Sequence, residues 1–244
     1  YFFNFKKLKI TSQIFNFFFL ISISGVVIPG TLFYIAASKV PAGILSLSVA
    51  FVPMLTYVSS LYLKIETFSL LRISGVFLGF IAIFLLIGPP DSFADRSMVP
   101  WVLLAMICPI CYTFENVFID IKKPIEVNSI TLALGSSAIT ILILLPVVFY
   151  FELFIDIKYP FQKIEFSIIA LGFITAVAYT LFIYLITNAG AVFASNVGYV
   201  VTISGVIWGI VLFQETHSYW VWLSLITMII GLSLVSPRRK TKKY

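Results

Sequence analysis

Only one carboxylate, Glu115, lies well inside an apolar stretch of this 244-residue chain, and a few amides and hydroxyls share such stretches with it. A carboxyl group that deep can carry a proton, because a charge at the centre of a bilayer costs about 2.5–3.5 kcal/mol on insertion scales. Asp120, Lys122 and Lys123 follow closely, so an interfacial position for Glu115 stays open beside the coupling role. Asn196, Tyr199 and Thr202 recur at three-residue spacing, on neighbouring positions of one helix face. Thr175 and Tyr179 share a stripe with Phe182, and Thr31, Tyr34, Ser46, Thr56, Tyr112 and Asn116 complete the set. Such groups hydrogen-bond a polar solute if they face a path through the protein. Otherwise the hydroxyls bond their own helix backbones and the tyrosines sit in interfacial belts.

Other chemistry has little to work with. Cys108 and Cys111 form a Cys-Pro-Ile-Cys run with no second ligand pair, which favours core packing over redox or metal binding. His217 is the only histidine and is expected in a solvated loop with no metal-ligand set around it. No catalytic residues, metal site or cofactor are expected.

The elements that must position these groups follow from composition. Hydrophobic residues make up 61% of the chain and charged residues 11%, with a mean hydropathy of +1.09; a soluble domain carries roughly 25% charged residues. The apolar residues come in runs long enough to cross a hydrocarbon core. A span must satisfy its backbone internally, as a helix or within a closed barrel. Residues 141–151 lack the alternation of a barrel strand, so the class is an all-α polytopic membrane protein. The net charge of +6 sits in loops and at the tail and does not suggest nucleic acid.

Eight spans are expected, at 14–38, 41–63, 69–88, 99–118, 128–151, 166–188, 190–213 and 219–236. The connections after the first and sixth are so short that these pairs must be antiparallel hairpins. Both chain ends then share a side with the even-to-odd loops after the second, fourth and sixth spans. That side carries twelve Lys and Arg residues against four on the other (Lys39, Arg96, Lys158 and Lys163), which makes both ends cytoplasmic. The chain begins with Tyr1, and no small-residue cleavage site interrupts residues 15–37, so the first span is read as retained and the natural N-terminus as missing.

An internal repeat relates residue n to n+149. It pairs Thr31 with Thr180, Ala42 with Ala191, Ser46 with Ser195, Val52 with Val201, and the run Glu66-Thr67-Phe68-Ser69 with Glu215-Thr216-His217-Ser218. The plain role of that run is capping, with Ser or Thr accepting from free N–H groups of the next helix. The repeat shifts the chain by five spans, an odd number that inverts orientation. The chain thus reads as three plus five helices of an inverted five-plus-five repeat: 1–90, a loop at 91–98, a second repeat at 99–237 and a basic tail at 238–244.

The stretches 34–66 and 180–215 resemble the EamA-type transporters of the drug/metabolite transporter superfamily. Each half of that family carries a hairpin with a small-residue turn, a Pro-containing span and a glutamate before the last helix. Pro41-Ala42-Gly43, Pro53 and Glu66 fit; Thr202 stands where the repeat would place a second proline, which leaves a proline break of the seventh span in doubt. The resemblance implies a ten-span transporter, often an exporter of amino acids or other metabolites, with cytoplasmic ends.

The expected function is therefore secondary transport, with the repeats rocking about a central site. No Lys or Arg lies in the middle of a span, which favours a neutral or zwitterionic solute over a phosphorylated solute or nucleotide-sugar. A membrane-embedded enzyme on lipid-like substrates and a structural subunit are the alternatives. A cavity lined by Tyr34, Tyr179, Asn196 and Tyr199 would separate them from a transporter. The expected partners are a small-molecule substrate and the lipid bilayer, with a homodimer left open, and the expected location is the cytoplasmic (inner) membrane. Gly75 with Gly79, and Gly205 with Gly209, have the spacing of close helix packing.

Overall fold

Long apolar runs leave their peptide groups no partner but one another, and every span is accordingly helical. The computed structural model describes residues 11–92, 95–154 and 163–235. The first span comprises α1 (Ser12–Ile21), a π-helical stretch (Ser22–Val27) and α2 (Ile28–Ala37). The second is α3 (Ala42–Val49) with α4 (Val52–Tyr62), and the third is α5 (Leu70–Ile87). The fourth is α6 (Val99–Ala105) with α7 (Ile107–Lys122), followed by α8 (Ser129–Tyr150) and α9 (Lys163–Ala189). The seventh is α10 (Ala191–Ala194) with α11 (Val197–Phe213), and the last is α12 (Tyr219–Val235). Seven spans are long and apolar enough to cross a membrane, and α12 is a shorter apolar helix. These are the eight spans expected from the sequence.

Local chemistry explains the breaks. A proline ring clashes with the carbonyl four residues earlier. For Pro29 that carbonyl belongs to Gly25, and the wider π turn at Ser22–Val27 relieves the conflict. Pro53 similarly follows the break between α3 and α4, and Pro109 the break between α6 and α7. The seventh span breaks without a proline, at Ser195 and Asn196, with Gly198 just beyond. Gly190, the single residue between α9 and α10, has φ 87°, a left-handed value that glycine adopts without strain.

Capping is mixed. Thr11 accepts from the Ile14 N–H at 3.3 Å and Asn128 from the Thr131 N–H at 2.7 Å. Asp95 accepts from the N–H and the hydroxyl of Ser97, which hold its carboxyl below the usual range. Of the two Glu-Thr-x-Ser runs, Ser218 caps α12 through the Val221 N–H at 3.4 Å, but the Ser69 side chain does not cap α5. There Tyr57 reaches in and its hydroxyl takes the Ser69 N–H at 3.1 Å.

Three buried clusters hold the spans together. Phe17, Phe18, Ile119, Leu132 and Ile183 join the first, fourth, fifth and sixth spans. Val40, Leu47, Val102, Val206 and Val221 join the second, fourth, seventh and eighth. Met54, Tyr57, Val76 and Met228 join α4, α5 and α12. Helices α5 and α12 cross at Gly75 and Gly231, so closely that a β-carbon on either would strike the other's carbonyl oxygen. Gly79 meets Met54, Gly205 meets Ser46 and Gly209 meets Glu215, so both glycine pairs serve packing. Along α9 only Ile183 and Ile186 are fully buried; Tyr179, Phe182 and Leu185 pack partly against the same cluster, and the exposed apolar side chains of its first half form a surface suited to lipid.

Candidate functional site

Glu115 enters the interior because α7 packs against the π-helical stretch at Gly25. A β-carbon there would occupy the space of the Glu115 carboxyl group. The side chain is 2% exposed. Its donor is Tyr179 of α9, whose hydroxyl lies 2.6 Å from Glu115 Oε1. Tyr112, one turn earlier on α7, is half-buried beside the pair. Among the described residues no cationic side chain is paired with Glu115. Cys108 donates to the Pro29 carbonyl at 3.4 Å and ties α7 to α2.

Asn116 is the next residue and is fully buried, yet neither atom of its amide has a hydrogen-bond partner. Its neighbours on that face of α7 are Thr113 and Asp120. Thr113 Oγ1 faces Thr56 Oγ1 of α4 at 3.5 Å, and Asp120 Oδ2 accepts the Ala191 N–H of α10 at 3.0 Å. Asn116 therefore sits where α7 meets both α4 and α10. Asn196, at the break after α10, has an unbonded buried Oδ1. Tyr199 follows it on the same face and packs on the cluster of Met54, Tyr57 and Met228. An unmade bond on a buried polar group costs about 1–3 kcal/mol, so amides kept in this state are suited to receiving a ligand's polar atoms.

The remaining candidates fall elsewhere. Ser46 Oγ donates to the Thr202 carbonyl, and Thr202 Oγ1 to the Ser46 carbonyl, each at 3.1 Å; the two clamp α3 to α11. Thr31, Tyr34 and Thr175 are exposed, with Tyr34 at 64%. The twelve residues are thus divided between the buried region around Glu115, Asn116 and Asn196, the clamp of α3 to α11, and exposed positions. An open apolar groove between α4 and α7, lined by Leu55, Ser59, Tyr62, Ile110, Phe114 and Ile121, contains none of them.

Sequence reasoning gave Glu215 only a place in the repeat. Its Oε1 accepts the Ala42 N–H at 2.7 Å and its Oε2 the Gly43 N–H at 3.0 Å, capping α3 from across the molecule. His217 is not solvated as expected. The turn between α11 and α12 folds it under Gly43 and beside Trp222, leaving its side chain 1% exposed with Nε2 3.4 Å from Glu215 Oε2. Burial pulls its pKa below the ordinary imidazole value, and Glu215 opposes that in part. The available signal was that Pro41 leaves the next N–H groups without helical partners, and the repeat supplies a glutamate at the matching end.

Residues 99–236 match the family model described as the EamA-like transporter family. A crystal structure of another protein shares the fold, with a TM-score of 0.63 at 15% identity over 93% of this chain and 79% of its own. No curated protein matches the sequence. With more than half of the chain matched to that model and its apolar helical spans in place, this multi-pass membrane protein belongs to the EamA-like transporter family, of the drug/metabolite transporter type.

Proposed function

We propose that the protein exports a small neutral or zwitterionic metabolite, an amino acid or similar solute, across the cytoplasmic membrane by alternating access. The observation that carries this reading is Asn116, a fully buried amide with no partner at the junction of α4, α7 and α10. Asn196 and Tyr199 extend that polar region along the seventh span, and Tyr179 and Glu115 extend it toward the first. A protonatable Glu115 at the junction of three spans is placed to couple solute movement to a proton. Fixed positive charge is confined to span ends such as Arg72, which Glu66 engages, so a phosphate group has no counter-ion at the polar region. The excess of twelve cationic residues over four supports a cytoplasmic position for both ends of this chain.

The test compares medium metabolites from cells making the full-length protein, its Asn116→Leu variant, or neither. Selective accumulation of a neutral or zwitterionic solute, lost in the variant at equal membrane abundance, supports the reading. Accumulation of only phosphorylated solutes, or accumulation undiminished by Asn116→Leu, contradicts it.

A further inference from the structure

The two repeats close differently. Glu66 and Glu215 are repeat mates, and their N–H groups make equivalent bonds: that of Glu66 to the Ser60 carbonyl at 3.2 Å, and that of Glu215 to the Gly209 carbonyl, the repeat mate, also at 3.2 Å. The carboxylates part company. Glu215 crosses to the other repeat and caps Ala42 and Gly43, whereas Glu66 turns back to Arg72 at 3.0 Å. The repeat mates of Ala42 and Gly43 are Ala191 and Val192, and there Asp120 takes the Ala191 N–H in place of Glu66.

The helices above these caps follow suit. At the Ala42 end, α3 and α11 are joined by the mutual bonds of Ser46 and Thr202, with Gly205 against Ser46 and Gly209 against Gly43. The mates of Ser46, Gly205 and Gly209 are Ser195, Thr56 and Ser60. Ser195 bonds the Val192 carbonyl, as Ser46 also bonds that of Gly43; Thr56 faces Thr113 of α7, and the buried Ser60 hydroxyl has no partner. Because five spans separate the repeats, these two sets lie at opposite ends of the molecule. One end is latched between repeats and the equivalent end is not.

We propose that Glu215 and Glu66 are the paired gate residues of the transport cycle: Glu215 latches the Ala42 end in the state seen here, and Glu66 caps Ala191 and Val192 to latch the opposite end when Glu215 has let go. Arg72, stacked 5.0 Å from the Tyr57 ring centre, holds Glu66 in reserve, and Asp120 keeps the Ala191 N–H satisfied meanwhile. The exchange needs no new fold, since each carboxylate trades one set of charge-assisted bonds for another. It rests on the alternating-access reading and names the side chains that would switch.

The test is electron spin resonance distance measurement on the full-length protein in lipid, with Cys108 and Cys111 replaced by Ala. Labels at Lys39→Cys and Tyr219→Cys report the Ala42 end, and labels at Tyr62→Cys and Asn188→Cys the Ala191 end; all four positions are exposed. Short and long separations are expected at both ends, in opposition. Glu215→Ala should deplete the short population at the Ala42 end and enrich it at the Ala191 end, roughly fivefold or more, the lower range of measured couplings. Glu66→Ala should do the reverse. Glu→Gln variants, which keep the shape, should shift in the same directions to a lesser extent and guard against misfolding. If each end shows one separation that no variant moves, alternating access itself fails. If two separations exist but the two glutamate variants shift them in the same direction, or Glu66→Ala shifts nothing, the gate assignment is overturned and alternating access survives.

Discussion

Tyr179 of α9 donates its hydroxyl hydrogen to Glu115 of α7 across 2.6 Å, a polar link between two spans that also share the buried cluster of Ile119 and Ile183. Removing the donor leaves a buried carboxyl group without it. Tyr179→Phe should lower unfolding stability by about 1–3 kcal/mol, the usual cost of such an orphaned group. A double-mutant cycle with Glu115→Gln, read by thermal unfolding in lipid, should show non-additivity; additive losses would mean that the pair is not coupled.

Gly25 and Gly30 lie in the same span but in different surroundings. A β-carbon at Gly25 meets the Glu115 carboxyl group, whereas none of the protein lies within 4 Å of one at Gly30. Gly25→Ala should therefore cost about 1–3 kcal/mol as overpacking. Gly30→Ala should be neutral or mildly stabilising, since alanine is the better helix former. Equal effects in parallel melts would contradict the close approach at the π turn.

Gly75 and Gly231 face each other where α5 crosses α12, and here the obstacle to a side chain is backbone. Gly75→Ala must separate α5 from α12 and disturb Met54, Met228 and Leu232 beneath them. A lower yield of folded protein and a lower melting temperature are expected, with Gly231→Ala behaving alike. Unchanged melting of either variant would argue against this crossing.

His217 gives stability a pH dependence of defined sign. Its folded-state pKa lies below the ordinary value of 6.5, so the folded protein binds fewer protons than the unfolded chain. Its contribution is complete above pH 6.5 and is lost as pH falls from there through the lowered value. The melting temperature should decline across that window, and His217→Gln should flatten the decline. A melting temperature that rises on acidification, and does so only with His217 present, would reverse the sign.

Much of this architecture is legible in the sequence because the bilayer enforces it. Apolar length fixed the eight spans, with edges that differ from the helices by a few residues, and turn length fixed the hairpins at Pro41 and Gly190. The repeat could be read because Glu66 and Glu215 stand at matching span ends. The site was less legible, since helical spacing says which residues share a face but not what that face meets. Thr202 and Asn196 occupy one stripe, yet Thr202 is consumed by Ser46 and Asn196 keeps an unbonded oxygen. Thr31, Tyr34 and Thr175 are exposed, a degree of burial that tertiary packing decides and spacing does not. The reach of Glu215 to Ala42 joins residues far apart in the chain, and periodicity carries no information about such a contact.

Asn116 separates stability from transport. Asn116→Leu replaces an unbonded buried amide with an apolar group of similar size, so the protein should be as stable as the parent or more so. Transport should nevertheless fall at least about tenfold, the effect of losing about 1.4 kcal/mol of solute binding. A variant that is stabilised and still transports at the parental rate would show that the amide serves no solute.

The central claim is alternating-access carriage through the polar region around Asn116, Asn196 and Tyr199, and counterflow in proteoliposomes tests it most directly. Vesicles holding the full-length protein are loaded with an unlabelled neutral solute identified from the medium, then given a trace of the labelled one. Transient labelled uptake above equilibrium is predicted, and abolished by Asn196→Ala with Tyr199→Ala. Equilibration without overshoot would contradict carriage, and an overshoot undiminished in the double variant would contradict the assigned path.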